Sequence, residues 1–140
     1  MERADGTLLA FDFGMRRIGV AVGNTVTRSA TPLTTIDAPD GAQRFAAIGA
    51  LVDEWRPDRF VVGLPVHADG RAHAMTQRAR AFGAALAQRF ARPVAFADER
   101  HTSEAATRVT AGAGRAGRAR RDELAAAIIL QARLDETHDA

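Results

Sequence analysis

The stretch Leu8 to Val22, LLAFDFGMRRIGVAV, constrains this 140-residue chain more than any other. An apolar run, Leu8-Leu9-Ala10-Phe11, is followed by one carboxylate, Asp12. Phe13, Gly14 and the basic pair Arg16-Arg17 come next, then a second apolar run from Ile18 to Val22. Two short apolar runs joined by a Gly-containing turn predict a β-hairpin inside a core. An ionised carboxylate in such a strand costs several kcal/mol unless something compensates it. No Arg lies within the strand, so the expected compensator is a metal ion or a group from elsewhere in the fold. Asp12 could also pair with Arg16 or Arg17 across the turn, but the apolar setting favours a functional role.

The rest of the chain supplies a sheet around that hairpin. Residues 7–13 and 17–22 are its strands, and the β-branched run 31–36 predicts a third antiparallel strand. Asp37-Ala38-Pro39-Asp40-Gly41 breaks the chain. Asp40 with Gln43 resembles a capping box, opening a helix that carries Phe45, Ile48, Val52 and Trp55 on one stripe and stops at Pro57. Residues 59–64 (RFVVGL) read as a buried strand, which after a helix implies a βαβ unit. A loop with Asp69-Gly70 as its turn leads to a helix marked by Met75, Ala79, Phe82, Leu86 and Phe90. Gly83 costs that helix about 1 kcal/mol relative to Ala.

A last strand, residues 93–97, ends in Asp98-Glu99-Arg100. Residues 102–110 predict a short helix. Residues 111–121 (AGAGRAGRARR) predict a mobile Arg/Gly loop, and residues 122–136 a final helix whose alanines allow close approach to a sheet. The order predicts an α/β fold with a mixed five-stranded sheet, three antiparallel strands and then βαβ, flanked by helices. One domain spanning 1–140 is expected, with residues 1–6 and 137–140 frayed.

Composition removes several function classes. With no Cys, neither a disulfide scaffold nor a thiolate metal site is possible. No signal peptide or run of about 20 apolar residues is present, so a cytoplasmic protein is expected. Net charge is only +2, but all nineteen basic residues are Arg. Coding bias explains most of that, whereas bidentate phosphate contact explains the clustering of Arg115, Arg118, Arg120 and Arg121 in a Gly-rich stretch. With no Tyr and one Trp, a base-stacking platform is not expected.

Acids at three places could converge. Asp12 lies in the first strand, Asp98 and Glu99 end the last one, and Asp122 opens the last helix. Three carboxylates meeting there would hold one or two Mg²⁺ ions, which prefer oxygen ligands. Two such ions roughly 4 Å apart activate a water and stabilise the leaving oxygen of a phosphodiester. Each acid has a plainer reading: Asp98 and Glu99 as a polar strand end beside Arg100, Thr102 as a helix cap, Asp122 as a helix-start acid favoured by the dipole. Asp122, Ala126 and Ile129 share one helical face, however, which turns the carboxylate toward the sheet. His67, His73, His101 and His138 lack metal-ligand spacing, and Ser29 and Ser103 lack the partners a nucleophile needs.

Four motifs in register carry a family likeness. They are Asp12-Phe13-Gly14 with Arg17-Ile18-Gly19-Val20-Ala21; Val62-Gly63-Leu64-Pro65 with Asp69-Gly70; Asp98-Glu99-Arg100 with Thr102; and Asp122 ahead of Ala125-Ala126 and Ile129-Leu130. The sequence over about residues 7–135 strongly resembles the bacterial YqgF family, also described as RuvX and as a Holliday junction resolvase family. The resemblance implies a ribonuclease H-like fold and a cytoplasmic nuclease dependent on Mg²⁺ or Mn²⁺, which matures the 5′ end of pre-16S rRNA. By motif it implies Asp12, Glu99 and Asp122 as catalytic metal ligands, with Asp98, Arg100 and Thr102 supporting the site or touching substrate. Arg16, Arg17 and the arginines at 115, 118, 120 and 121 are expected to hold phosphates. One departure is Arg121, where an aliphatic residue usually precedes the last acid.

The expected partner is nucleic acid, pre-rRNA or branched DNA, with no membrane and a monomer or weak homodimer. A Holliday junction resolvase is the nearest rival and would favour an obligate dimer. The first motif also resembles the phosphate loop of actin-like and sugar-kinase ATPases, but 140 residues leave no room for their second lobe. A catalytically silent RNA-binding or transcription-associated factor is the remaining alternative, and the retained acids argue against it.

Overall fold

The computed structural model describes residues 6–38, 40–64, 73–98 and 121–139. Strands β1 (Thr7–Asp12), β2 (Arg17–Asn24) and β3 (Ser29–Asp37) precede helix α1 (Gly41–Trp55). Then come β4 (Arg59–Leu64), α2 (His73–Phe90), β5 (Val94–Asp98) and α3 (Arg121–Asp139). The five strands form one sheet in the order β3-β2-β1-β4-β5. β1 is antiparallel to β2 and β2 to β3, whereas β4 runs parallel to both β1 and β5. The mixed topology expected from the hairpin and the βαβ unit is the one observed.

Strand alternation divides the interior into two layers. Leu9 and Phe11 of β1, with Ile18, Val20, Phe60 and Val62, pack against Ile48 and Val52 of α1 and Phe82 and Leu86 of α2. Phenylalanine rings join this layer through a chain of contacts, from Phe13 through Phe82 to Phe45 and Phe90. Leu8 and Ala10 point the other way, where with Ala21 and Val61 they meet Ala126, Ala127, Ile129 and Leu130 of α3. β1 and β4 are buried on both faces, so they read as unbroken apolar runs.

Several boundaries move. The side chain of Asp40 caps α1, but it accepts from the Ala42 N–H and not from that of Gln43, so the cap is simpler than a capping box. α3 starts at Arg121 and continues to Asp139. Arg121 therefore belongs to the helix and not to the preceding loop, and the helix extends over residues 137–139. The unusual residue ahead of the last acid does not disturb the helix start. Gly6, expected to fray, is held by Thr25: its N–H donates to Thr25 Oγ1 at 2.6 Å and its carbonyl accepts the Thr25 N–H. The short helix predicted at 102–110 and the Arg/Gly loop up to residue 120 lie outside the described residues.

Gly83 has a reason that helix propensity does not capture. A Cβ there would come within 2.6 Å of the Phe96 ring on β5. The glycine lets α2 lie close against the sheet edge, and that packing offsets its local cost.

Candidate active site

In an open sheet of this kind, ligands bind beyond the carboxyl ends of the parallel strands. β1 ends there with Asp12, β4 with Leu64 and β5 with Asp98, and the register pairs Leu64 with Asp98. Asp12 has the parity of Leu8 and Ala10, the residues that pack against α3. Its carboxylate belongs to the layer that the last helix covers.

Gly19 brings the helix start to that position. It is the cross-strand partner of Asp12. A Cβ built on Gly19 would lie 1.8 Å from the carbonyl oxygen of Asp122 and 3.0 Å from the nitrogen of Glu123. The first turn of α3 therefore rests on bare backbone beside Asp12, which only a glycine permits. Asp12 and Asp122, 110 positions apart in sequence, flank one residue.

Two further contacts seat this helix turn. Glu123 is buried and its Oε2 accepts a hydrogen bond from Thr35 Oγ1 of β3 at 3.3 Å. Asp122 stays partly exposed, and its Oδ2 accepts from Arg17 Nε at 2.9 Å. Arg16 lies apart, its Nε 3.6 Å from Asp37 in a well-exposed pair. The two arginines expected to hold phosphates thus differ: Arg16 faces solvent at the hairpin turn, and Arg17 lies on the carboxylate of the last helix.

The hairpin turn is itself braced from behind. Arg44 of α1 is buried, donating from Nε to the Ala38 carbonyl and from Nη2 to the Met15 carbonyl. Its guanidinium lies 5.5 Å from the Phe13 ring centre. Burial lowers its pKa by disfavouring the charged form, while the two carbonyls and the ring face stabilise the cation. Arg44, Ile48 and Val52 are spaced by four, so this arginine heads the buried stripe of α1. That spacing was present in the sequence, as were Glu123, Ala127 and Leu130 on one face of α3. Neither residue stands out in the sequence, because a charged side chain on a helix is ordinary and only its packing marks it as buried.

Glu99, Arg100, Thr102, Arg115, Arg118 and Arg120 lie outside the described residues, so the third acid of the expected set is not among them. Among the described residues, no group of three His, Asp or Glu side chains gathers to hold a metal. The donor chemistry still fits a hard cation. Asp12 lies across the strand pair from Gly19, Asp122 opens the helix that rests on that glycine, and the Asp122 carboxylate already holds a cationic group in the form of Arg17.

The model of the RuvX family, described as Holliday junction resolvase, matches residues 6–136. The chain belongs to the RuvX family. A relative from Dechloromonas aromatica named "Putative pre-16S rRNA nuclease" is 54% identical over 136 residues, covering 95% of this chain and 93% of its own. A relative of the same name from Burkholderia lata is 51% identical over 138 residues, covering 96% and 93%. Among solved structures, Thermus thermophilus RuvC in complex with Holliday junction substrate matches this RuvX-family chain with a TM-score of 0.67 at 19% identity. That match covers 94% of this chain and 95% of the other. A second Thermus thermophilus RuvC structure matches at a TM-score of 0.64 and 18% identity, covering 95% of this chain and 96% of the other. These likenesses establish the ribonuclease H-like α/β fold expected from the sequence. No helix among the described residues is long and apolar enough to cross a membrane.

Proposed function

We propose that this RuvX-family chain is a divalent-metal-dependent endonuclease whose substrate is the 5′ leader of pre-16S rRNA. The observation that carries this reading is the seating of the first turn of α3 on Gly19, which brings Asp122 to the strand end that holds Asp12. The relatives' name supports the substrate. Glu99 completes the set in this proposal. It stands two residues beyond Ala97, whose packing partners are those of the α3 layer, and so has in sequence the parity that Asp12 requires.

In this site Asp12, Glu99 and Asp122 would hold Mg²⁺ or Mn²⁺. When bound, the ion supplies activation of a water and charge neutralisation at the scissile phosphate. The chain's own residues do the rest. β1 and α3 fix two carboxylates on rigid elements, Gly19 sets the separation between those elements, and Arg44 holds the backbone turn that presents Arg16. Arg16, Arg17 and the arginines at 115, 118, 120 and 121 neutralise the phosphates of the bound strand. Asp98, Arg100 and Thr102 are assigned to supporting or substrate-contacting positions.

The family description favours a second reading, resolution of branched DNA at the same site. Side-by-side cleavage of a pre-16S 5′ leader and a four-way DNA junction, with Mg²⁺ and with chelator, separates the two. Metal-dependent cutting of the leader near the mature 5′ end is the expected result. Cutting confined to the junction would move the assignment to DNA. Asp12→Asn and Asp122→Asn are each expected to lower cleavage by roughly 100-fold or more with folding unchanged by circular dichroism, and full activity in either would remove that residue from the site.

A further inference from the structure

Arg17 has a place in the site that phosphate binding alone does not explain. Its guanidinium sits 2.9 Å from Asp122 Oδ2, the carboxylate that the proposed function gives to the metal ion. A guanidinium and a divalent cation compete for the same oxygen lone pairs. Arg17 opens β2 across from Asp37 and two residues before Gly19. Its side chain is about half exposed and that of Asp122 one-third exposed, so solvent reaches the pair and either partner is free to exchange.

We propose that Arg17 is an exchangeable counter-ion of the metal site: it holds Asp122 while the ion is absent, yields that oxygen when the ion binds, and then takes a phosphate oxygen of the substrate strand. The proposal rests on the metal-site reading above and adds an ordering to it. Without a cation, Arg17 supplies a counter-charge to the Asp122 carboxylate at the start of α3, at a cost in metal affinity. The displaced guanidinium remains on the open side of the site, and its planar fork suits a phosphate better than it suits water. Metal and substrate then bind with positive coupling, because the ion releases the group that the strand needs.

The two halves of the exchange predict effects of opposite sign from one substitution. In Arg17→Gln, Mn²⁺ should bind about fivefold more tightly, the scale of a half-exposed ion pair, as read by the electron paramagnetic resonance signal of free Mn²⁺ without nucleic acid. The rise in Tm on adding Mn²⁺ should be larger than in the unmodified chain. Binding of leader RNA in Ca²⁺, followed by fluorescence anisotropy, should weaken by about three- to tenfold, and Arg17→Lys should restore part of it. Asp122→Asn serves as the reference and should weaken Mn²⁺ binding by about tenfold or more. If Asp122→Asn leaves Mn²⁺ binding unchanged, the metal-site reading fails and the exchange with it. If Asp122→Asn weakens Mn²⁺ while Arg17→Gln does not tighten it, the exchange alone is overturned. Tighter Mn²⁺ with unchanged RNA binding would overturn the second half, leaving Arg17 as a metal competitor only.

Discussion

Arg44 shows how much one buried charge can organise. Its two carbonyl partners, Ala38 and Met15, belong to chain segments that lead into and out of the hairpin end of the sheet. Arg44→Met keeps the stem's volume but leaves both carbonyls without their donor. A loss of about 2–4 kcal/mol in unfolding free energy is expected, measured by urea denaturation at constant m-value. Arg44→Lys should recover less than half, since one ammonium cannot span both carbonyls and cover the Phe13 face. Asp12 stands out in the sequence as a candidate because a carboxylate in an apolar run is an anomaly. Arg44 and Glu123 do not stand out. Each sits on a helix where charges are ordinary, and only the packing against a turn or a strand makes them unusual.

Among elements, the contact between β2 and α3 is the most exacting. Gly19→Ala would place a methyl group where the Asp122 carbonyl now lies, and both atoms belong to backbone that cannot swing aside. The helix start must lift, which should cost about 1–3 kcal/mol in stability by thermal melting and a larger share of cleavage activity, since Asp122 moves with it. A drop in Tm with full activity would show that the site tolerates the shift. Gly83→Ala tests the parallel case on the other face. Its gain in helix propensity, about 1 kcal/mol, meets a clash with the end of the Phe96 ring, and a net loss of stability with unchanged activity is expected. The 3.6-residue periodicity predicted both helices, and the alanines of the last one its close approach to the sheet, but Gly83 was read only as a local cost. Which glycine lies at each contact could not be read, because that depends on which strand lies opposite.

At the scale of the whole molecule, chain order was enough to predict a mixed sheet of three antiparallel strands followed by βαβ, though not that β4 lies beside β1. Three strands with tight connections must be antiparallel neighbours, and a strand after a helix returns parallel to the one before it. Residues 111–121 were read only as a composition, Arg and Gly without apolar anchors, since such a stretch carries no periodicity to assign. If its arginines hold phosphates as proposed, affinity for leader RNA should fall steeply with salt. Replacing Arg115, Arg118 and Arg120 by Gln should flatten the slope of log K against log salt by about 2–3 units, as measured by anisotropy between 50 and 200 mM KCl (roughly the range of strong screening). An unchanged slope would take that segment off the binding surface. The ion pair across Arg17 and Asp122 joins positions 105 apart in the chain. In the proposed site, a nascent hairpin carries Asp12 and Arg17 without Asp122, so the two acids assemble only after α3 has been synthesised and has docked.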